Sequence, residues 1–412
     1  MTSTHHAPAT SASPGLLRLA GFPYFLIAFV ARLPFAMMVV GVLTLAVAAR
    51  DSISVGGLTS AAVGLGTFFF GPLLGAAADR FGQRRVLLLL AGANAAALAV
   101  FAFVAYSTLP DPVLLLSAFA IGATAPQVSP LSRARLMTII ADRVPEPRRP
   151  RTVSSTMAYE SAADETVFVI GPFLVGVLAS FISPAAPLLI GAGLTVLFVG
   201  AFALHPSGSL LSAHRGDDGK AASPASELLR PRLLVVVVGI VGVGLFFGAM
   251  LTSLTAFMAE RGDSDRAGLL YGVMGIGSAI LALGVAALPA RFTLRARWLL
   301  FSGILLAGAL LLLIVDDVPG MILALAVMGI GIGPTLVTQY SFGAALSPAG
   351  RSATVMTMLG SGVIVGQSTG AAVTGVVAQG AGAPTALILP GVAAALVLAA
   401  GLVNAVLNRG LR

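Results

Sequence analysis

Residues Gly71–Arg85, GPLLGAAADRFGQRR, decide how this chain is read. An apolar block of about one membrane thickness, 55–78, leads into the stretch, and a second begins at Val86. Between them Asp79, Arg80, Arg84 and Arg85 interrupt the apolar run within a few positions. The stretch therefore reads as a short polar turn between two long apolar helices.

The rest of the chain repeats that alternation. Of its 412 residues 57% are hydrophobic and 10% charged, with mean hydropathy +0.99. Soluble domains carry roughly 25% charged residues, and a water-soluble fold could not hide this much apolar surface. The composition is that of a polytopic membrane protein. The 48 glycines and 24 prolines do not signal disorder here, because membrane helices tolerate both and small residues let backbones approach. The absence of cysteine removes disulfides, thiol chemistry and cysteine metal sites.

Twelve apolar blocks are expected to span: 22–49, 55–78, 84–106, 111–133, 152–180, 183–204, 233–258, 267–289, 297–315, 319–342, 352–379 and 385–407. Each is long enough to cross about 30 Å of hydrocarbon as a helix. Only helices satisfy the backbone within such a segment, and the blocks lack the ten-residue alternation of a membrane barrel. The first block is longer than a signal-peptide core of about 7–15 residues, so it reads as a span. The longest polar break, 205–232, is rich in Ser, Gly and mixed charge and divides the spans six and six. Residues 1–20 and 408–412 are expected as tails, 21–204 and 233–407 as the two halves. His5, His6, His205 and His214 are expected to be solvated in tail or linker.

Charge placement orients the chain. With the N-terminus inside, all but Arg32, Arg50, Arg261 and Arg266 of the 24 lysines and arginines fall in cytoplasmic segments. That bias predicts both termini in the cytoplasm, in the inner (plasma) membrane, with part of the positive charge facing anionic lipid. A contiguous basic face for nucleic acid is missing. On this map Arg32 is the one basic residue inside a span.

Gly75, Asp79, Arg80, Gly82, Arg84 and Arg85 fit the pattern G-x-x-x-D-R/K-x-G-R-R/K, with Gln83 where arginine is commoner. In this the chain resembles the major facilitator superfamily of transporters, where that loop joins the second and third helices on the cytoplasmic side. The resemblance implies an all-α membrane protein with twelve transmembrane helices in two pseudo-symmetric six-helix bundles, rocking around a central site. It also implies that the charge cluster holds one conformation of the cycle and breaks in another. The plainer reading is that its arginines only set topology. Asp79 sits at a helix C-terminus, where a negative charge opposes the dipole; a helix N-terminus or an arginine elsewhere is its expected partner. Cavity lining by helices one, four, seven and ten, again implied by the resemblance, makes Arg32, Gln127, Thr252, Thr255, Thr338 and Gln339 lining or binding candidates.

The fifth span carries Glu160, Asp164 and Glu165, about 13–21 Å along the helix from Arg151. Acidic groups at such depth are expensive and point to function. Glu160 and Asp164 share a face at i, i+4, and Glu165 lies beside them. The three repel one another, which favours taking up a proton. Arg32 needs a partner, and any of the three would serve. Proton or substrate coupling and a static ion pair that stitches helices are both open. In the same span, Gly171, Pro172 and Gly176 partly resemble the G-P-x-x-G-G element of antiporters in this superfamily, although Val175 replaces a glycine. A packing kink at Pro172, with Gly176 admitting a neighbour, explains them equally.

The expected function is export of small amphipathic compounds by proton antiport, the chain acting as a monomer. Proton-coupled uptake of a small metabolite and a non-transporting receptor or scaffold are the alternatives. A sugar cavity would be richer in polar and aromatic groups, and the one tryptophan, Trp298, is expected at a membrane interface. With no metal cluster, nucleotide loop or nucleophile pair, neither an enzyme nor an ATP-driven pump is expected, and no cofactor or metal is called for.

Overall fold

Residues 20–208, 223–262, 267–289 and 291–407 are described by a computed structural model. The expected tails, most of the 205–232 linker and His5, His6 and His214 lie outside these residues. Twelve helices are long and apolar enough to cross a membrane. They are α1 (Phe22–Arg50), α2 (Val55–Phe81), α3 (Gln83–Ala105), α4 (Asp111–Arg143), α5 (Glu146–Phe181), α6 (Ala186–Leu204), α7 (Pro231–Ala259), α8 (Leu270–Ala287), α9 (Leu294–Ile314), α10 (Val318–Leu346), α11 (Ser352–Ala386) and α12 (Leu389–Leu407).

They form two six-helix bundles with matching internal pairings. In the first, α1 packs on α5, α2 on α4 and α3 on α6; in the second, α7 packs on α11, α8 on α10 and α9 on α12. The bundles meet along α2 with α11 and α5 with α8, and through contacts of α4 with α11 and α5 with α10. Such matching pairings in the two halves are the structural form of an internal repeat.

Two boundaries differ from expectation for one reason. The fourth span was expected to stop at residue 133, yet α4 runs to Arg143. Arg133 and Arg135, counted above as loop charges, are fully buried inside it. The helix absorbs them because partners for both guanidinium groups come from other helices, which a linear hydropathy count does not see. Trp298 is likewise not at an interface. It is buried in the second bundle, its indole N–H donating to the Val397 carbonyl at 3.2 Å.

Small residues set how closely the helices approach. Gly122 of α4 faces the Val63 carbonyl of α2, and Gly66 of α2 faces the Phe119 carbonyl of α4. A Cβ at either place would overlap backbone that has nowhere to move. In lipid, where burial between helices gains little hydrophobic energy, such backbone contact supplies the packing. Gly122→Val is expected to cost about 1–3 kcal/mol by overpacking and to lower the melting temperature of the purified protein; an unchanged melting curve would contradict the close α2–α4 approach.

Candidate functional site

The cavity lies between the bundles where two helices of the first are broken. Helix α1 is helical over Phe22–Val30 and Leu33–Arg50 and turns at Ala31–Arg32, with Pro34 just after. Helix α4 is helical over Asp111–Thr124 and Val128–Arg143, and Ala125–Gln127 between them is non-helical. Pro126 and Pro130 explain the second break, since each removes a backbone donor and crowds the preceding turn. Irregular backbone at membrane depth is tolerated where it lines a cavity or is buried in protein. Here it borders a cavity of about 100 Å³. Arg32, Gln127, Arg133, Asp164 and Glu165 give the cavity a polar side. Phe35, Phe168, Phe247, Leu336, Val363 and Ile364 give it an apolar one.

The charged side is one network. Arg32 binds Glu160 at 2.5 Å and lies 3.3 Å from Asp164. Arg133 pairs with the other oxygen of Asp164 at 2.7 Å. Ser129 donates to Asp164 at 2.6 Å and accepts from Arg133 at 2.5 Å. Ser132 donates to Glu160 at 3.0 Å. Arg32, Arg133 and Glu160 are essentially buried. Removing one member would strand a charge in a low-dielectric setting, the costly way to break a buried pair. Helices α1, α4 and α5 are thereby tied at mid-depth.

Glu165 stands apart. It lines the same cavity, but among the described residues no Lys or Arg lies within ion-pair distance of it. Its Oε1 accepts from Ser278 of α8 at 2.7 Å, so the bond crosses between bundles. Its Oε2 is buried without a hydrogen-bond partner. A second crossing contact is the stack of the Arg133 guanidinium on the Tyr340 ring of α10, 3.8 Å from the centroid.

Toward the arginine-rich end the bundles are joined again. The Asp79 carboxylate accepts from the backbone N–H groups of Ala353 and Thr354 at 3.1 and 2.7 Å, and from the Thr354 hydroxyl at 2.6 Å. An acidic side chain at the end of α2 thus satisfies free donors at the start of α11. Gly75, one turn back, faces Thr357 of α11 with no room for a side chain. Gly82 has φ +92° at the α2–α3 turn, a conformation that favours glycine. Arg80, Arg84 and Arg85 are exposed. Gln83 is buried: it donates to the Leu131 carbonyl and accepts from Arg135, both at 3.2 Å. Arg297 of α9 donates to Ser154 of α5 at 3.1 Å, a further tie between bundles.

The remaining expected residues fall as follows. Gln127 lines the cavity. Thr338 is buried and donates to the Pro334 carbonyl, while Thr255 is exposed and bonded to Leu251. Thr252 is half-buried on α7 and is not among the lining residues. Gln339 is buried away from the cavity, beside Gly239 and Trp298. Gly171 packs against Ala36 of α1, and Pro172 lies within a continuous α5. Gly176 has no neighbour where a side chain would be, so it does not serve close packing. Arg32 is not the only basic group at depth, because Arg133 shares its network. Arg133, Ser129, Ser132 and Tyr340 were not among the expected residues. The signal for the first three was Pro126 and Pro130, which mark a broken helix that continues rather than one that ends.

Among the described residues no group of His, Cys, Asp and Glu is placed to hold a metal ion. No curated protein sequence matches the chain. Several solved structures share its fold. The human organic anion transporter MFSD10 (TETRAN) is 22% identical, covering 95% of this chain and 100% of its own, with TM-score 0.70. A bacterial homologue of the iron transporter ferroportin in an outward-facing state is 17% identical, covering 95% and 98%, with TM-score 0.71. A variant of the E. coli fucose:proton symporter FucP is 16% identical, covering 92% and 98%, with TM-score 0.63. Residues 24–360 match the Major Facilitator Superfamily. The chain therefore belongs to that superfamily, as a multi-pass membrane transporter that moves small solutes.

Proposed function

We propose that this transporter exports small amphipathic compounds in exchange for protons, with its arginine-rich end in the cytoplasm. The observation that carries this reading is Glu165, a carboxylate on the cavity wall without a basic partner among the described residues. In so apolar a place a carboxylate needs either a proton or a cation. A cationic group of a bound compound and a proton would exclude each other there, and that exclusion is the coupling. The aromatic and aliphatic wall opposite, with Phe35, Phe168 and Phe247, suits the apolar body of the same compound. Because Glu165 also holds Ser278 across the bundle interface, its occupancy bears on how the bundles sit.

The Asp79 cap is the gate of this scheme. It holds the arginine-rich end shut while α2 and α11 touch, and rocking of the bundles breaks it. Two of its three bonds to α11 come from backbone N–H groups, which water can satisfy once the helices part.

A second reading has an observation of its own. Arg32 Nη1 is buried beside the cavity without a hydrogen-bond partner, and an amphipathic anion would satisfy it. The solved MFSD10 structure, described as an organic anion transporter, is compatible with such a substrate.

Inverted membrane vesicles separate these readings. An imposed pH gradient is expected to drive ethidium, a cationic probe, and not carboxyfluorescein, an anionic one. Glu165→Gln is expected to abolish gradient-driven ethidium movement, at least about tenfold, and Asp164→Asn to impair it by stranding Arg133. Asp51→Asn, at a left-handed backbone position that asparagine also adopts (φ 47°), is expected to leave it unchanged. Carboxyfluorescein movement would favour the anion reading, and indifference to the gradient would sink proton antiport. For the gate, the absence of native cysteine makes Thr357→Cys a clean reporter. Asp79→Asn is expected to raise its labelling by a water-soluble maleimide from the arginine-rich side about fivefold, the population shift for a lost cap of about 1 kcal/mol. Equal labelling would deny Asp79 a gating role.

A further inference from the structure

The break in α1 that brings Arg32 to its partners also leaves a gap. Past the turn at Ala31–Arg32, the Leu33–Arg50 half packs on α5. Before it, the Phe22–Val30 half packs instead on residues 195–204 of α6 and on Val128–Arg143 of α4. Tyr24 and Ala28 of this half are buried, with the Tyr24 ring 5.7 Å from the Phe202 ring of α6. The opposite face, at i, i+3, i+4 and i+7, carries Phe22, Phe25, Leu26 and Phe29. It looks across at the first turns of α5 over a groove of about 650 Å³, within the range of about 300–1,000 Å³ for small-molecule sites.

The walls of this groove suit a lipid. Phe22 and Leu26 are 65% and 53% exposed inside a membrane span, so this side opens on the bilayer. The α5 wall is Arg151, Thr152, Ser155, Thr156 and Tyr159. It looks polar, yet it needs no water. Thr152, Ser155 and Thr156 donate to the Arg148, Arg151 and Thr152 carbonyls at 3.0, 3.0 and 2.8 Å, so each spends its proton on its own helix. Toward the membrane centre the Phe25 and Tyr159 rings meet edge-on, centroids 5.1 Å apart, and close the groove beneath the charge network. At the membrane surface stands Arg151, exposed, with no carboxylate within ion-pair distance among the described residues. Arg148, also exposed, precedes it by one turn. From Arg151 to Tyr159 is about 12 Å along the helix, most of the roughly 15 Å of hydrocarbon in one leaflet.

We propose that this groove holds one anionic phospholipid of the leaflet at the arginine-rich end, its phosphate on Arg151 and an acyl chain between α5 and the α1 phenylalanines. The proposal is independent of what is transported and of how transport is coupled. Charge decides the occupant. A cationic amphipath meets the wrong sign at the mouth, and a zwitterionic lipid gains less there than an anionic one. An empty gap of this size would forfeit the dispersion contacts of both walls. The lipid acts as a wedge: it keeps the Phe22–Val30 half apart from α5, and so holds the turn that presents Arg32 to Glu160.

The test titrates dioleoylphosphatidylglycerol into the purified full chain in a neutral detergent and reads the melting temperature, with dioleoylphosphatidylcholine as the zwitterionic comparison. The anionic lipid is expected to raise the melting temperature at concentrations where the zwitterionic one does not, because a ligand of the folded state stabilises it. Arg151→Gln is expected to raise the half-maximal concentration about fivefold, the attraction of one arginine for an anionic surface. Arg232→Gln, at an exposed arginine of α7 away from the groove, is expected to leave it unchanged. Leu26→Trp keeps the charge but fills the groove, and is expected to lose the response. Equal responses to the two lipids, or equal losses in Arg151→Gln and Arg232→Gln, would mean only general attraction to a basic surface and would overturn the proposal. A second readout does not depend on those variants folding. In the cysteine-free chain, Ser155→Cys is expected to react with N-ethylmaleimide about fivefold more slowly in phosphatidylglycerol-containing proteoliposomes than in phosphatidylcholine alone. Equal labelling would contradict an anionic occupant, and protection by ethidium instead of the lipid would make the groove part of a substrate path.

Discussion

A guanidinium at the centre of a membrane bundle must be neutralised, and much of the first bundle is arranged around that requirement. Arg32 sits at a break in α1, where the turn brings it to Glu160 and Asp164 of α5. Asp164 then has an oxygen left for Arg133 of α4. Two arginines and two carboxylates close on one another, with Ser129 and Ser132 filling acceptor sites. The energy of such a group depends on all its members being present. It fixes the three helices at the depth where the cavity opens, so the binding region is rigid on its charged side.

The contacts between the bundles are of another kind. Among the described residues they include a backbone cap at Asp79, a serine bond to Glu165, a bond from the Ser361 hydroxyl to the Thr67 carbonyl, a ring stack of Arg133 on Tyr340 and a bond from Arg297 to Ser154. The neutral groups in these contacts, the backbone N–H groups of Ala353 and Thr354, the Ser278 and Ser154 hydroxyls and the Tyr340 ring, can be re-solvated or replaced when the interface parts. Strong ties within a bundle and exchangeable ties between bundles are what rigid-body rocking requires. Glu165 belongs to both the cavity and the interface, so an occupant of the cavity that met it would be felt by the other bundle.

Much of the fold was legible in order along the chain. The hydrophobic blocks, their lengths and the long break after residue 204 give twelve helices in two sets of six, and the Gly71–Arg85 stretch carries the family pattern. The site was legible in part. Three acidic residues in α5 and an arginine in α1 were visible as groups needing partners, but not which would pair. Arg133 was misread because Pro126, Pro130 and two nearby arginines resemble the end of a span. Trp298 was misplaced because a lone tryptophan in a membrane protein sits more often at the water boundary. Gly176 was given a packing role by its position in a pattern, and the space beside it holds no neighbour.

The division has a physical cause. Transfer of a segment from water into lipid depends on the residues of that segment alone, so composition and order suffice for the number of helices, their length and the side on which the arginines gather. Pairing depends on distance in space, and Arg32 and Glu160 are 128 positions apart in the chain. Only the packed bundles decide that Glu160 and Asp164 are neutralised while Glu165 faces the cavity without a basic partner among the described residues.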